Sequence, residues 1–180
     1  RIPPPQPQPG GGTKARQERK RGKDLPDLLK VNDTLKSRWR ILGKIGAGGF
    51  GQVFMAVDEE HSHLLAIKAE PARAKYVLKM EVAVLKQIHS SHLARYYGCG
   101  TQESFKYMAV ELLGRDLSQL RKLQPGHKFT LPTVIHIARI TLGALYDLHC
   151  GGVLHRDIKA SNFVVGMTAQ TWHQVYVIDF

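Results

Sequence analysis

The chain has 180 residues, 43% of them hydrophobic, and it carries a formal net charge of +11. No run of about 18 apolar residues is present, which excludes a membrane-spanning helix, and the two cysteines form neither a CxxC pair nor a disulfide framework. We therefore expect an intracellular protein, of the cytoplasm, the nucleus or both, with no membrane partner. The first residue is Arg1 rather than methionine and no signal-peptide-like segment follows, so we expect a fragment of a longer gene product.

The N-terminal arm, residues 1–37, differs in composition from the rest of the chain. PPPQPQPGGG in residues 3–12 cannot bury a core and is typical of a disordered linker. ARQERKRGK, residues 15–23, fits a nuclear signal or an anion-binding arm, but a solvated tail is the favoured interpretation. We predict that the arm is largely disordered. The remainder of the chain is also basic, which suits an anionic ligand or acidic protein substrates, and nucleic acid is not an expected partner.

Three short runs rich in β-branched and aromatic residues follow the arm, and the turn signals GAGGF and EEHS separate them. They predict an antiparallel meander of three strands, RILGKIG (40–46), GQVFMAVD (51–58) and HLLAIKA (63–69). The next segment, residues 74–90, has apolar residues at helical spacing, which predicts a helix that buries the stripe Val77, Met80, Val84 and Ile88. Two more strands are predicted within residues 93–112.

The sequence becomes helical in character after Gly114. DLSQLRKL predicts a short helix, and residues 131–149 predict a long one that has proline in its first turn and glycines at its end. The closing stretch predicts a loop, a short strand, a turn and a last strand. The predicted fold class is therefore α+β with two lobes, a five-stranded antiparallel N-lobe with one helix at about residues 38–113 and an incomplete helical C-lobe at residues 114–180.

A glycine pattern and a lysine define the first candidate site. Gly46, Gly48 and Gly51 have the spacing GxGxxG, which dinucleotide-binding folds share, but a strand rather than a helix follows the third glycine. This context favours a hairpin whose backbone amides cover nucleotide phosphates, with an ordinary glycine-rich hairpin as the alternative. Lys68 ends a strand opposite the hairpin and is placed to pair with phosphate oxygens. Glu81, in the predicted helix, is the candidate carboxylate to hold it, and the alternative for each of the two residues, taken singly, is a surface charge.

The segment HRDIKASNF, residues 155–163, holds the second candidate site. Asp157 is suited to accept the proton of a substrate hydroxyl, and Lys159 to neutralise a transferring phosphoryl group. The amide oxygen of Asn162 is a candidate Mg²⁺ ligand. Asp179, at the tip of the last predicted strand, is the second candidate ligand. The alternative for the segment is a charged surface turn.

In this order the motifs resemble those of the eukaryotic protein kinases, with GAGGFGQV as the glycine-rich loop, LAIK as the strand-three lysine motif, HRDIKASN as the catalytic loop and DF as the start of the DFG motif. HRDIKASNF, VELLGRDLSQL and LKMEVAVLKQI are similar to the casein kinase I group, especially its tau-tubulin kinase-like branch. The resemblance covers about residues 38–180. It implies transfer of the ATP γ-phosphoryl group to serine or threonine hydroxyls of proteins, with ATP and Mg²⁺ as cofactors. It also implies a preference for acidic or phospho-primed substrates.

The resemblance further implies which residues contact ATP. A hinge formed by Glu111, Leu112 and Leu113 would meet the adenine, with Val110 as the gatekeeper residue. The implied contacts are Ile45, Gly46, Ala47, Gly48, Gly49, Phe50, Gly51, Val53, Ala66, Lys68, Val110, Glu111 and Leu113.

Two features depart from the family pattern. Ala160 occupies a position that is usually proline, and the sequence stops directly after Asp179 and Phe180. We therefore expect the isolated 180-residue chain to be inactive. The alternative to a kinase is a non-catalytic nucleotide-binding or scaffold protein, whereas the strand after Gly51 argues against a nucleotide-dependent dehydrogenase.

Overall fold

The structure is a computed structural model that describes residues 26–49, 51–74 and 77–180, without the side chain of Val77. Six strands form its larger sheet: β1 (Thr34–Leu35), β2 (Trp39–Gly48), β3 (Gly51–Asp58), β4 (His63–Pro71), β5 (Tyr96–Thr101) and β6 (Phe105–Glu111). All neighbours are antiparallel, in the order β1-β2-β3-β4-β6-β5. The five predicted strands are therefore confirmed, and β1 is an additional short strand.

The core of the N-lobe lies on one face of this sheet. Strand β3 alternates strictly, so that Phe54 and Ala56 are buried while the residues between them are half-buried. Strand β4 is buried on both faces from Leu65 onward. The largest side chains of the core are Trp39, Ile41, Phe54, Leu65, Ile67, Phe105 and Tyr107.

Residues 26–37 belong to the predicted disordered arm but pack on the N-lobe. Leu29 and Leu35 are 4% and 3% exposed and join its core. Ordered packing therefore begins within the predicted arm, before residue 37. Because the two leucines are six residues apart with an Asn-Asp turn between them, they show neither helical nor strand periodicity. The proline-rich and basic stretches lie outside the described residues.

Helix α1 (Val77–Gln87) follows β4, within the predicted range of 74–90. Its buried residues are Leu78, Glu81 and Val84, whereas Met80 is 56% exposed. The prediction that Met80 lies on the buried face is wrong. Glu81 lies between Leu78 and Val84 on the inward face and pairs with a lysine of the sheet, so its neighbour Met80 faces solvent.

The C-lobe combines helices with a second, three-stranded sheet. Its strands are β7 (Leu113–Asp116), β8 (Phe163–Gly166) and β9 (Val175–Val177), in the order β7-β8-β9. Two helices, α2 (Leu117–Leu123) and α3 (Leu131–Cys150), occupy the predicted positions. The sequence predicted helical structure directly after Gly114 and missed β7, because four residues, LGRD, are too short to show alternation.

Both helices of the C-lobe are capped by their own sequence. The Asp116 carboxylate accepts a hydrogen bond from the Gln119 N–H, and the Thr130 side chain accepts one from the Thr133 N–H. Proline lies in the first turn of α3, and Gly151 ends the helix, as predicted. Among the helices that the structure describes, none has the length and hydropathy needed to cross a membrane.

A second hydrophobic core connects the lobes. It contains residues of α1, α2, α3 and the small sheet: Val84, Leu93, Leu117, Ala144, Leu148, Phe163, Val175 and Val177. Backbone and side-chain bonds reinforce it, since Val177 N–H donates to the carbonyl oxygen of His92 and Ser90 Oγ donates to Asp147. The opposite face of α3 is apolar and exposed, with Leu142 at 67% and Tyr146 at 68%.

Candidate active site

The glycine-rich segment forms the tip of the β2–β3 hairpin. Gly48 pairs with Gly51, and Gly46 pairs with Val53. Gly51 has a φ of +131°, and a Cβ atom at this position would lie 2.3 Å from the carbonyl oxygen of Ala69 on β4. Only glycine allows this close approach, because any side chain would overlap that oxygen.

Lys68 on β4 joins three segments of the chain. Its Nζ atom lies 2.5 Å from Glu81 Oε2 on α1 and 2.5 Å from Asp179 Oδ1, two residues after β9. Lys68 and Glu81 are 9% and 5% exposed, while the Asp179 side chain is 30% exposed. The structure thus brings together three predicted site residues, one of which is 111 positions from Lys68 in the sequence.

Charge and burial act in opposite directions on this cluster. Burial alone would lower the pKa of the Lys68 ammonium, but attraction to the Glu81 and Asp179 carboxylates outweighs it, so this pKa lies above its ordinary value. Burial raises the pKa of Glu81, and the Lys68 ammonium opposes that rise. Lys68 is therefore a fixed positive charge at neutral pH.

Asp157, Lys159 and Asn162 form a second cluster on the loop after α3. Lys159 Nζ donates to Asp157 Oδ2 at 2.5 Å, and Asn162 Nδ2 donates to the Asp157 carbonyl oxygen at 2.9 Å. The hydrogen bond from Lys159 is the main cause that holds the pKa of Asp157 below its ordinary value. The Asp157 side chain is 48% exposed, so its ionised carboxylate is open to a reactant.

His155 connects this loop to the segment that carries Asp179. Its Nε2 donates to the carbonyl oxygen of Ile178 at 3.0 Å, because a carbonyl can only accept. Its Nδ1 then accepts the Asp157 N–H at 3.3 Å. The ring is 3% exposed and packs edge-on against Phe180. The buried imidazole of His155 therefore fixes the position of the Asp157 loop relative to the segment that carries Asp179.

Two residues of these segments have a left-handed backbone. Arg156 has a φ of 65° and Asp179 a φ of 62°, and neither is glycine. Such a conformation costs roughly 1–2 kcal/mol for a residue with a Cβ atom. The contacts of their neighbours His155 and Ile178 hold this strain in place, and strain of this kind is concentrated at functional sites.

A cleft of about 300 Å³ lies between the hairpin and the C-lobe. Eight of the predicted ATP contacts line it: Ile45, Gly46, Val53, Ala66, Lys68, Val110, Glu111 and Leu113. Glu81 and Asp179 also line it. Four others do not: Ala47, Gly48, Gly49 and Gly51. The hairpin tip extends past the cleft, and no atom lies within 4 Å of a Cβ built on Gly48 or Gly49. Phe50 lies outside the described residues.

The sequence interpretation missed several residues of the cleft wall. Met108 and Val164 contribute apolar surface from β6 and β8, and Ser161 comes from the loop that carries Asp157. Met108 could have been found, because it lies two residues before Val110 and therefore on the same face of its strand. Val164 could not, since only the pairing of β7 with β8 places it against the cleft.

The chemistry of Asn162 and Asp179 fits Mg²⁺. Amide and carboxylate oxygens are the hard ligands that this ion prefers. The Ile178 N–H donates to the carbonyl oxygen of Asn162 at 3.0 Å, which places the two segments side by side. Asn162 uses its Nδ2 atom to bond Asp157, so its Oδ1 atom is the one suited to a metal.

Glu111, at the end of β6, connects the lobes at the rear of the cleft. Its Oε1 accepts the hydroxyl of Tyr176 from β9 at 3.3 Å, and its Oε2 accepts the N–H of Arg95 at 3.2 Å. Burial, followed by the charge of Glu111, raises the pKa of Tyr176 to about 12. The hydroxyl therefore stays protonated at physiological pH, and its one hydrogen is shared between Glu111 and Gln174, whose Oε1 lies 2.8 Å away.

Comparisons with known proteins agree with this geometry. Residues 39–180 match the protein kinase domain. The chain is 38% identical over 148 residues to a Dictyostelium discoideum protein named "Probable serine/threonine-protein kinase", with 81% of the chain and 30% of that protein covered. It is 38% identical over 149 residues to a Caenorhabditis elegans protein provisionally named casein kinase I, covering 80% and 44%.

A third relative is the Caenorhabditis elegans serine/threonine-protein kinase spe-6, which is 32% identical over 167 residues, covering 91% of the chain and 44% of that protein. The chain thus spans 30% to 44% of the length of these curated relatives. The domain match covers more than half of the chain and includes both clusters described above. The chain belongs to the protein kinase family.

Proposed function

We propose that this chain carries the catalytic centre of a protein serine/threonine kinase that uses Mg-ATP. The observation that carries the proposal is the position of Lys68, which is held by Glu81 and Asp179 at the wall of the cleft. A buried ammonium held between two carboxylates has a fixed location, and phosphoryl transfer depends on such positioning and on charge neutralisation more than on covalent chemistry.

The residue roles follow from the two clusters. Lys68 binds phosphate oxygens, and Glu81 orients it. Asp157 accepts the hydrogen bond of the substrate hydroxyl and takes its proton as the phosphoryl group departs from ATP. Lys159, 2.5 Å from Asp157, offsets negative charge on the transferring group.

Asn162 and Asp179 are the residues that would hold Mg²⁺. When bound, the ion supplies charge neutralisation to the phosphates. The contribution of the chain itself is the spacing of these ligands, which His155 sets through its bonds to both segments. Apolar residues of β4 and β6, Ala66, Met108 and Val110, line the cleft beside these ligands.

We place the protein in the casein kinase I group, near its tau-tubulin kinase-like branch, with acidic or phospho-primed substrates. The provisional name of one relative, a casein kinase I, supports the group. The net charge of +11 and the exposed Arg156 and Lys159 beside Asp157 support substrates of negative charge. An intracellular site, the cytoplasm or the nucleus, is where such substrates would be met.

The test is phosphoryl transfer by the longest natural product that contains these 180 residues. With radiolabelled ATP and casein, transfer should be lost in Asp157→Asn, which keeps the shape of the side chain, and in Lys68→Met. Lys122→Met, an exposed lysine on α2, is the matched control and should retain activity. Binding of ATP by the wild-type protein without any transfer would instead support a non-catalytic nucleotide-binding protein.

A further inference from the structure

Residues 26–29, which we name the N-terminal strap, are hydrogen-bonded to the glycine-rich hairpin through the side chain of Gln52. Gln52, directly after Gly51, accepts the Leu28 N–H at 2.8 Å through Oε1. Its Nε2 donates to the Pro26 carbonyl oxygen at 3.1 Å. Gln52 is 3% exposed, so both bonds are shielded from water. The side-chain amide thus pairs with the strap as the backbone of a neighbouring strand would.

Two further contacts anchor the strap. Asp27 forms an ion pair with Lys44 of β2. Leu29, 4% exposed, is inserted in the core of the N-lobe, and Leu28 packs against that core. The strap therefore holds both strands of the hairpin, β3 through Gln52 and β2 through Lys44.

The strap lies on the outer face of the hairpin. Successive side chains of a strand point to opposite faces, and Val53, next to Gln52, lines the cleft. The inner face of the hairpin is therefore the wall of the cleft, while the strap covers the other. The hairpin tip contains four glycines and has little stiffness of its own. An external attachment next to the third glycine of the GxGxxG pattern, Gly51, limits how far the tip can open.

We propose that Gln52 is a positioning residue and that the strap, through it, holds the glycine-rich hairpin in place over the cleft. The effect on nucleotide binding rests on the proposed kinase function, whereas the effect on hairpin opening does not. The strap lies before the segment matched to the protein kinase domain, which begins at residue 39.

Hydrogen–deuterium exchange of the full chain tests the attachment without any need for activity. In Gln52→Leu, both bonds are lost while the shape and burial of the side chain are kept. Because each bond contributes modestly, exchange in peptides covering residues 44–54 should become about 5- to 30-fold faster, with the other N-lobe strands unchanged. Gln52→Glu keeps the acceptor for Leu28 but buries a carboxylate against the Pro26 carbonyl oxygen, so it should accelerate exchange at least as much.

Two comparisons make the result specific. Removal of residues 1–28 deletes both partners of Gln52 together with Asp27, so it should accelerate the same peptides at least as much as Gln52→Leu, and adding Gln52→Leu to it should add little. Arg40→Ala breaks an ion pair with Glu59 at the far end of the same strands and should leave residues 44–54 unaffected. Equal acceleration throughout the N-lobe, or none in Gln52→Leu, would overturn the proposal.

Titration with a fluorescent N-methylanthraniloyl-ATP measures the consequence for the cleft. Affinity should fall in Gln52→Leu by no more than the factor by which hairpin exchange rises, and it should be unchanged in Arg40→Ala. If the wild-type protein does not bind this nucleotide at all, the proposed kinase function fails, and the exchange data still decide whether the strap positions the hairpin. Faster hairpin exchange with unchanged affinity would show that the strap does not serve nucleotide binding.

Discussion

Replacing Glu81 by leucine should destabilise the protein strongly, and replacing Lys68 by methionine in the same chain should largely restore stability. The single substitution leaves the Lys68 ammonium, 9% exposed, without its buried partner. Breaking a buried pair in this way costs about 3–5 kcal/mol. Because the partly exposed Asp179 still contacts Lys68, we expect the lower end, about 3 kcal/mol. Replacing both members by apolar residues of similar volume is often neutral or stabilising.

Thermal unfolding measures this difference directly. For a chain of this size, about 3 kcal/mol corresponds to a fall of about 6–12 °C in Tm for Glu81→Leu, and the double variant should recover most of it. Neither variant should transfer phosphate, since both lack the ion pair between Lys68 and Glu81 that positions the ammonium. The reasoning would be refuted if Glu81→Leu melted at the wild-type temperature, or if the double variant were no more stable than the single one.

Three further predictions concern the surroundings of the site. Gly51→Ala should destabilise the hairpin, because its Cβ would lie 2.3 Å from the Ala69 carbonyl oxygen, whereas Gly48→Ala, with no atom within 4 Å, should be tolerated; urea unfolding of the two compares them. Arg38 holds the pKa of the buried Asp58 far below its ordinary value, so this pair stabilises the protein above about pH 4 and its contribution is lost as pH falls below it; Asp58→Asn should flatten that part of the pH–stability curve. Tyr176→Phe removes the hydroxyl bound to Glu111 and should lower stability by about 1 kcal/mol, and ultraviolet titration of the wild type should show a tyrosine that ionises near pH 12.

Much of the fold could be predicted because its signals are local. The strand Gly51–Asp58 alternates over its whole length, and its predicted and observed bounds agree. The start and end of α3 are marked by proline and glycine, so they were predicted to within a residue. The prediction failed where the signal is not local. Strands β1 and β7 are too short to show a period. Leu29 and Leu35 are buried because they pack against the core on one face of the larger sheet, which their own spacing does not indicate.

In the candidate site, too, the residues with a local sequence signal could be predicted and those that depend on the fold could not. Motif spacing identified Lys68, Asp157, Asn162 and Asp179 individually, because each belongs to a short run whose residue types suit one chemistry. The supporting contacts of Gln52, His155 and Tyr176 depend on which segments the fold brings together, and no spacing in the sequence records that.

The exposure of Met80 shows why hydrophobicity alone could not orient α1. Apolar burial would favour placing Met80 against the sheet, at a gain of about 1.5–3 kcal/mol. In the structure Glu81 takes the inward position instead, and Met80 is 56% exposed. Burying a carboxylate is unfavourable unless a partner compensates for it, and Lys68 lies 2.5 Å away on β4. Glu81 lies between the buried Leu78 and Val84 on the inward face of the helix, and Met80 lies outside this face. Since α1 buries a carboxylate in the middle of its apolar face and Lys68 is the partner that compensates for it, the position of Glu81 at the wall of the cleft is itself an argument for a functional role of Lys68.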